Sequence, residues 1–478
     1  MKSPFTLFLG VWTAWTVISI AFFENVLINN GHGYDGLVYS NMVKHFPQIL
    51  LDKQLNIYYV YRIFPSLLVW CGLKLCSAPI TDNHIISGFH LLNYISVSLT
   101  VFLWYKISLI KKISTSGFYF GVVLMLFNFA FFKHLFYNPV FTDAFALMLG
   151  AIMLYLVIRG KPYLQIPVLV ISRFVWPIGI YSGYVMLISE VKENMLAALP
   201  KTVKYITHIG KLLVLLSCIV CLVYGLFIFK QLKPNTRYLI DFQLIYVSIP
   251  IVIGYLFVIL SLPVDALVKR IDLDRKKLVA VFFIIVITYV LVKIPIYLFA
   301  DMDAYTVTPA SVVYLSYLRG VERPAVFLIA HFSYLGALPF FMIVYWNACK
   351  KSFASLHPAI GFLILGHLIL AVNSETRFLT LALPFFIYWA SMVFDKLCGK
   401  KSIFWTYCIL GLFSSKIWLP INTGLNAENW QTEAYSYYLN FGPWMSNYYY
   451  ILQLVLSVLI LLILFFIKRI NIGENAFK

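Results

Sequence analysis

Asp35, Asp143 and Glu375 belong to a set of only 19 acidic residues in a chain of 478, and each stands at the edge of a long apolar run. Charges that close to hydrocarbon-length segments are costly unless they are solvated, paired or bound to a ligand, which marks them as candidates for chemistry. Asp35 lies in GHGYDGLVYSNMVKHF, residues 31–46, between glycines that let the backbone turn tightly and approach a ligand. A carboxylate held there suits a general base acting on a hydroxyl, with His32 and Tyr34 beside it as supports; its alternative duty is to cap the short helix that follows. In FYNPVFTDAFALML, Thr142 or Asp143 can cap the next helix, which leaves Asp143 free for a second role. Glu375 and Arg377 share the turn in AVNSETRFLTLALPFF, either paired with each other or presenting a planar guanidinium to a phosphate. Arg62, next to Tyr61 in YYVYRIFPSLL, either snorkels or joins that cationic group. Arg173, in VISRFVWP, would be expensive facing lipid and should meet a partner or a ligand.

The elements that must position these residues are membrane helices. The chain is 62% hydrophobic with a mean hydropathy of +0.86, and apolar runs of about 18 residues or more recur along it. The runs are continuous rather than alternating, so helices are expected and a barrel is not; the fold class is an all-α polytopic membrane protein. With the amino terminus inside, the expected spans are 5–23, 85–109, 118–136, 141–158, a broken hairpin over 163–188, 212–229, 244–262, 278–299, 325–346, 353–372, 378–394, 403–419 and 449–467. The stretch 63–76 is read as a helix in the outer interface, because a full crossing would put Lys111 and Lys112 outside. Roughly fourteen crossings follow, with both termini inside and the first run kept as an anchor.

A net charge of +18 would suggest nucleic acid in a soluble protein. Here the basic residues gather in turns such as Arg159 and Lys161, Lys269 and Arg270, Lys350 and Lys351, and Lys468 and Arg469, where they set orientation. That places Asp35, Asp143, Glu375 and the three arginines on the opposite, outer face. The larger outside pieces are 24–84, 300–324 and 420–447, with a short turn at 373–377; the last of the large loops and its continuation carry Trp430, Tyr435, Tyr437, Tyr438, Trp444, Tyr448, Tyr449 and Tyr450, an aromatic belt or a platform for a sugar ring or lipid head. Other signals are weaker. Cys218 and Cys221 form a CxxC inside an apolar run, a packing feature rather than a redox pair. Asp301 and Asp303 leave a divalent cation optional, while His32, His45, His84 and His134 lack metal-ligand spacing, so no metal site is assigned.

In order along the chain, Asp35 in GYDGLVY, Arg62 and Pro65 of a YRxxP segment, Thr142-Asp143-Ala144, Ser172-Arg173 and the Glu375-x-Arg377 turn resemble the motifs of the C-type (GT-C) membrane glycosyltransferases of bacteria. The likeness covers residues 1–190 well and 191–478 loosely, which divides the chain into a catalytic module and a variable one. It departs at Phe174, where bacterial relatives tend to have an acidic residue, and in the single Asp of the first loop. The resemblance implies a bundle of roughly 13–14 transmembrane helices with interfacial helices in the first loop, in the inner membrane, with the site on the periplasmic face. It further implies inverting transfer of a sugar from a polyprenyl-phosphate donor to a glycan, lipid or protein. In that reaction Asp35 is the base, Asp143 is the second catalytic carboxylate, positioning the acceptor or assisting the base, Arg62, Arg173 and Arg377 hold the donor phosphate, and Glu375, Tyr34, His32 and Tyr61 support them. A transporter or flippase of lipid-linked saccharides, or a polysaccharide polymerase or ligase, would use the same cations with Asp35 in a lesser part.

Overall fold

Most of the structure is helical, as apolar runs require when each backbone N–H and C=O must find a partner within its own segment. The computed structural model describes residues 4–188, 201–231, 244–271, 275–304, 309–397, 401–422, 442 and 445–476. Trp430, Tyr435, Tyr437, Tyr438 and Trp444 lie outside the described residues. Seven described helices are long and apolar enough to cross a membrane: Pro4–Phe22, Asp82–Ile110, Lys204–Phe227, Ile245–Val268, Leu278–Phe299, Thr376–Lys396 and Asn447–Ile470. The chain is therefore an all-α, multi-pass membrane protein. Other expected crossings fall on shorter apolar helices, Asp143–Ile158, Val326–Leu335 and Pro358–Leu370.

Ile63–Leu75, with 13 residues, reaches only about 20 Å at ~1.5 Å per residue, short of a ~30 Å hydrocarbon layer. It packs instead on the first-loop helix Tyr34–Lys44 and on Asp82–Ile110. The hairpin divides where Arg173 and Pro177 suggest, into Gln165–Arg173 and Gly179–Ile188, and the two halves pack against each other.

Two expected spans are broken. The run 118–136 is helical over Thr115–Leu126, then turns by 67° into Phe129–Tyr137. Asn128 makes the break tolerable in an apolar setting: its amide nitrogen donates to Met125 O at 2.8 Å and its oxygen accepts from Phe131 N at 3.1 Å, so backbone groups freed by the bend stay bonded. The run 325–346 divides at Gly336, with φ 60° and ψ −121°, into Val326–Leu335 and Ala337–Val344. That conformation is closed to residues bearing a Cβ, and a methyl there would run into Ser414 Oγ and stand 3.5 Å from Asn128 Cβ, so the two breaks adjoin.

The bundle has two chemically different ends. Asp82 opens its helix against His32 of the first loop and Asp143 opens its helix against Arg377, while the same two helices finish at Lys111 and Arg159. At that second end Lys211 donates to Leu262 O at 2.8 Å and Arg270 to Leu356 O at 2.7 Å, satisfying carbonyls that helix ends leave open. At the acidic end a two-residue parallel bridge sets Leu55 opposite Ala300 and Asn56 opposite Asp301, joining the first loop to the finish of Arg275–Phe299. The expected outside stretch 300–324 is only partly a loop: Pro309–Val321 is a helix packed against Lys201–Gln231, with Tyr317 and Val321 buried beside Cys218 and Leu222.

Gly336→Ala is expected to cost about 1–3 kcal/mol through strain and overpacking. Its apparent unfolding temperature in detergent should fall clearly below that of the native chain; an unchanged value would show that the break does not need glycine.

Candidate functional site

Arg377 and Asp143 meet inside the bundle. Arg377 Nε donates to Asp143 Oδ1 at 3.0 Å and its Nη2 donates to Oδ2 at 2.7 Å, a two-pronged ion pair between residues that are both buried. The helix Asp143–Ile158 starts with this carboxylate, and the 3-10 segment Thr376–Ala382 carries the guanidinium. Neither of the expected capping arrangements is found at the helix start, since Thr142 makes no side-chain capping bond and Asp143 is occupied by Arg377. The expected Glu375–Arg377 pair does not form. Glu375 pairs with Arg319 of Pro309–Val321 and so does not orient Arg377 directly. The two side chains leave a tight turn in different directions, and each takes the opposite charge that the neighbouring helix brings to its depth.

His331 secures that turn. Its Nε2 lies 2.6 Å from Ala371 O and its Nδ1 lies 2.9 Å from Thr376 Oγ1. A carbonyl only accepts, so Nε2 carries the proton and Nδ1 receives the threonine hydroxyl's.

Trp176 sits between two guanidiniums. Its ring centroid is 5.9 Å from the Arg377 guanidinium carbon and 5.1 Å from that of Arg62, with Phe141 on Arg377 at 4.1 Å and Tyr58 on Arg62 at 4.3 Å. Arg62 is buried rather than snorkelling, and its Nη1 donates to Tyr39 Oη at 3.2 Å. The peptide ladder keeps these parts together: Phe64 N donates to Phe174 O at 3.1 Å, tying the YRxxP segment to the break that holds Trp176. Arg173 stacks on Tyr61 at 3.7 Å and donates from Nη1 to Pro177 O at 2.7 Å. Its partners are thus an aromatic ring and a carbonyl, one residue along from Arg62.

Asp35 is half-buried in the first turn of Tyr34–Lys44. It is not the cap, a position held by Gly33 without any side-chain bond, so the carboxylate is not spent on its own helix. A Cβ at Gly36 would stand 3.0 Å from Val140 O, and the bare glycine lets the helix press close to the loop before Asp143. Asp35 falls within electrostatic reach of Arg62 and Arg377 and faces Tyr59. Burial pushes the Tyr39 and Tyr59 hydroxyls up to about 12, with Asp35 adding to the effect, so both stay neutral and can donate.

His32 ties the first-loop helix to the start of Asp82–Ile110. Its Nδ1 meets Ser40 Oγ at 2.6 Å and its Nε2 meets Asp82 Oδ1 at 2.8 Å, while Lys44 reaches the same carboxylate at 2.7 Å. Tyr34, the first residue of the helix, is partly buried against the main core. Asp301 is used locally, accepting from Asp303 N and Ala304 N, and among the described residues no group of three or more metal-ligating side chains occurs.

Sequence reasoning missed Trp176, Tyr39, Tyr58 and the charged run Arg319-Gly320-Val321-Glu322-Arg323. That run carried a signal of its own, since three charges so close beside apolar segments are unusual. Glu322 is buried with Arg323 at 4.0 Å, and burial pushes its carboxyl up to about 7 against the pull of Arg323 and Arg319.

No protein-family model matches the chain, nor does any curated protein or solved structure.

Two outcomes follow from this geometry. Asp143→Ala strands a buried guanidinium and should destabilise the protein by about 3–5 kcal/mol, read as a large drop in apparent unfolding temperature. Glu322 has a folded pKa of about 7 against an ordinary 4.5, so its contribution to stability is complete below about pH 4.5 and is lost as pH rises through about 7. Glu322→Gln should flatten the fall in unfolding temperature between pH 5 and 8; an identical slope in native and variant protein would rule this out.

Proposed function

We propose that this protein is a membrane glycosyltransferase of the GT-C kind, using a sugar linked to polyprenyl phosphate and working at the acidic end of the bundle. One observation carries the reading: a first-loop carboxylate that its own helix does not use lies within electrostatic reach of two buried guanidiniums that flank one indole. The residues come from separate parts of the chain, which is what a pocket for two substrates needs. Asp35 accepts the proton of the acceptor hydroxyl while that oxygen forms a bond to the anomeric carbon. The bond from that carbon to the phosphate oxygen breaks with inversion, and the electron pair leaves on polyprenyl phosphate. Buried cations at the departing oxygen stabilise the charge as it grows. Phosphate is a sufficient leaving group, so the step requires no metal and leaves a divalent cation optional.

The basic ends of Asp82–Ile110 and Asp143–Ile158 support an orientation with that end toward the cytoplasm. The site then faces the periplasm or cell exterior, where lipid-linked sugars rather than nucleotide sugars serve as donors. In this reading the shorter helices complete a bundle of 13–14 crossings, and the acceptor is a glycan, lipid or protein hydroxyl.

Purified protein given a polyprenyl-phosphate sugar and candidate acceptors should release polyprenyl phosphate. Asp35→Asn should lower release by about a thousandfold or more while donor binding stays within a few-fold of native. Transport of the lipid across vesicles without release would sink the enzyme reading in favour of a flippase.

A further inference from the structure

Three broken elements meet at one lysine. Thr115–Leu126 follows Lys111 and Lys112, and Lys401 opens Lys401–Ser414, so both helices rise from the basic end. With 12 and 14 residues they reach only about 18 and 21 Å at ~1.5 Å per residue, short of a ~30 Å hydrocarbon layer. The first then bends into the π-helical turn Phe129–His134, and the third element breaks at Gly336 beside Ser414. Non-helical backbone at that depth is tolerated where it is buried in protein or lines a polar cavity, and π-helical turns gather at functional sites. Lys416 stands two residues beyond the second helix, at φ 57°, a strained conformation for a residue with a Cβ. Its ammonium donates to Oγ of the buried Ser333 at 2.8 Å and lies 4.9 Å from the centre of the Phe129 ring. Among the described residues no carboxylate lies within ion-pair distance of it, and the charge that acts on it is Lys133, of the same sign. Lys133 is differently placed: it donates to the carbonyls of Lys416 and Leu419 and lies 3.8 Å from Glu24, whose oxygens take the N–H groups of Ile421 and Asn422.

We propose that Lys416 and Ser333 form a second anion-binding site, apart from the cluster around Trp176, that takes a phosphate group. An ammonium has three donors and Ser333 takes one, so two remain; Ser333 accepts from Lys416, and its own proton has no acceptor among the described residues. Three donors converge there, a set that matches the oxygens of one oxyanion. A cation at membrane depth with a hydroxyl, a ring face and a second cation for company is costly until an anion joins it. The rings of Phe129, His134 and Phe141, with centroids 5.5 and 5.7 Å apart in turn, lead from Lys416 toward Arg377, so the two clusters touch different sets of side chains. The phosphate is that of a soluble ester or of a lipid head, which present the same oxygens. Anion binding here is independent of sugar transfer at the other cluster.

The test is equilibrium binding of inorganic phosphate and of dioleoyl phosphatidylglycerol to the detergent-purified full chain, with dioleoyl phosphatidylcholine as the lipid of no net charge. Native protein should bind at least one of the two anionic probes, and Lys416→Gln should weaken that probe by roughly tenfold while phosphatidylcholine changes by less than about twofold. The bound probe should raise the apparent unfolding temperature of the native protein and leave that of the variant unmoved, a difference that a lysine serving only to tie Ser333 would not produce. A loss seen with inorganic phosphate assigns a group that arrives from water, and a loss confined to phosphatidylglycerol assigns a lipid head. In an Arg62→Gln background the loss should keep its full size, because separate sites act additively. If Lys416→Gln fails to fold, Ser333→Ala keeps the charge, removes one donor and should weaken the probe by about threefold. Native affinity for both anions in Lys416→Gln, or in Ser333→Ala where it stands in, overturns the proposal, as does a loss that vanishes once Arg62 is replaced. Native protein that binds no phosphate and does not prefer phosphatidylglycerol to phosphatidylcholine overturns it as well. Sugar transfer is read separately, by release of polyprenyl phosphate.

Discussion

A charged pair inside an apolar bundle is a severe constraint, and the Asp143–Arg377 pair sets the geometry of everything around it. Each ion alone would be costly in a low-dielectric interior, and the two are tolerated because both prongs of the guanidinium meet both carboxylate oxygens. That requirement fixes the depth of the Thr376–Ala382 segment against the start of Asp143–Ile158 to within a hydrogen-bond length. Arg377 in turn lies 4.1 Å from the Phe141 ring and 5.9 Å from that of Trp176, which lies 5.1 Å from Arg62.

Asp35 stands apart from this pair. Among the described residues it has no ion pair, and the tyrosines near it are held neutral by burial. Asp143 and Glu375, by contrast, are each paired with an arginine. The first loop also gains rigidity without using Asp35, because the His32, Ser40, Asp82 and Lys44 cluster carries that load.

Much of this was legible in the chain, for reasons that differ from residue to residue. The short reach of 63–76 and the break near Arg173 were readable because charge placement and proline act locally. A count of basic turns put Asp35, Arg62 and Arg377 on one face, since it reports the end of a helix though not its neighbours. Partner choice was hidden. Glu375 and Arg377 are two residues apart and invite each other on paper, but their pairing is decided by which helix arrives at each depth. Asn128 and Gly336 gave no warning of breaks, since a lone asparagine or glycine in an apolar run is usual and only the adjoining of the two makes them matter. The helix within 300–324 was hidden by its charges, of which Arg319 is paired with Glu375.

The contacts that complete the acidic end reach across most of the polypeptide: Leu55 to Ala300, Glu24 to Asn422, and Asp143 to Arg377. A chain made from its amino terminus presents Asp35 and Arg62 long before residue 377 leaves the ribosome. Through that interval Asp143 waits without its counter-ion and the first loop without its second strand. The acidic end is therefore the part of the bundle whose contacts are completed last in synthesis.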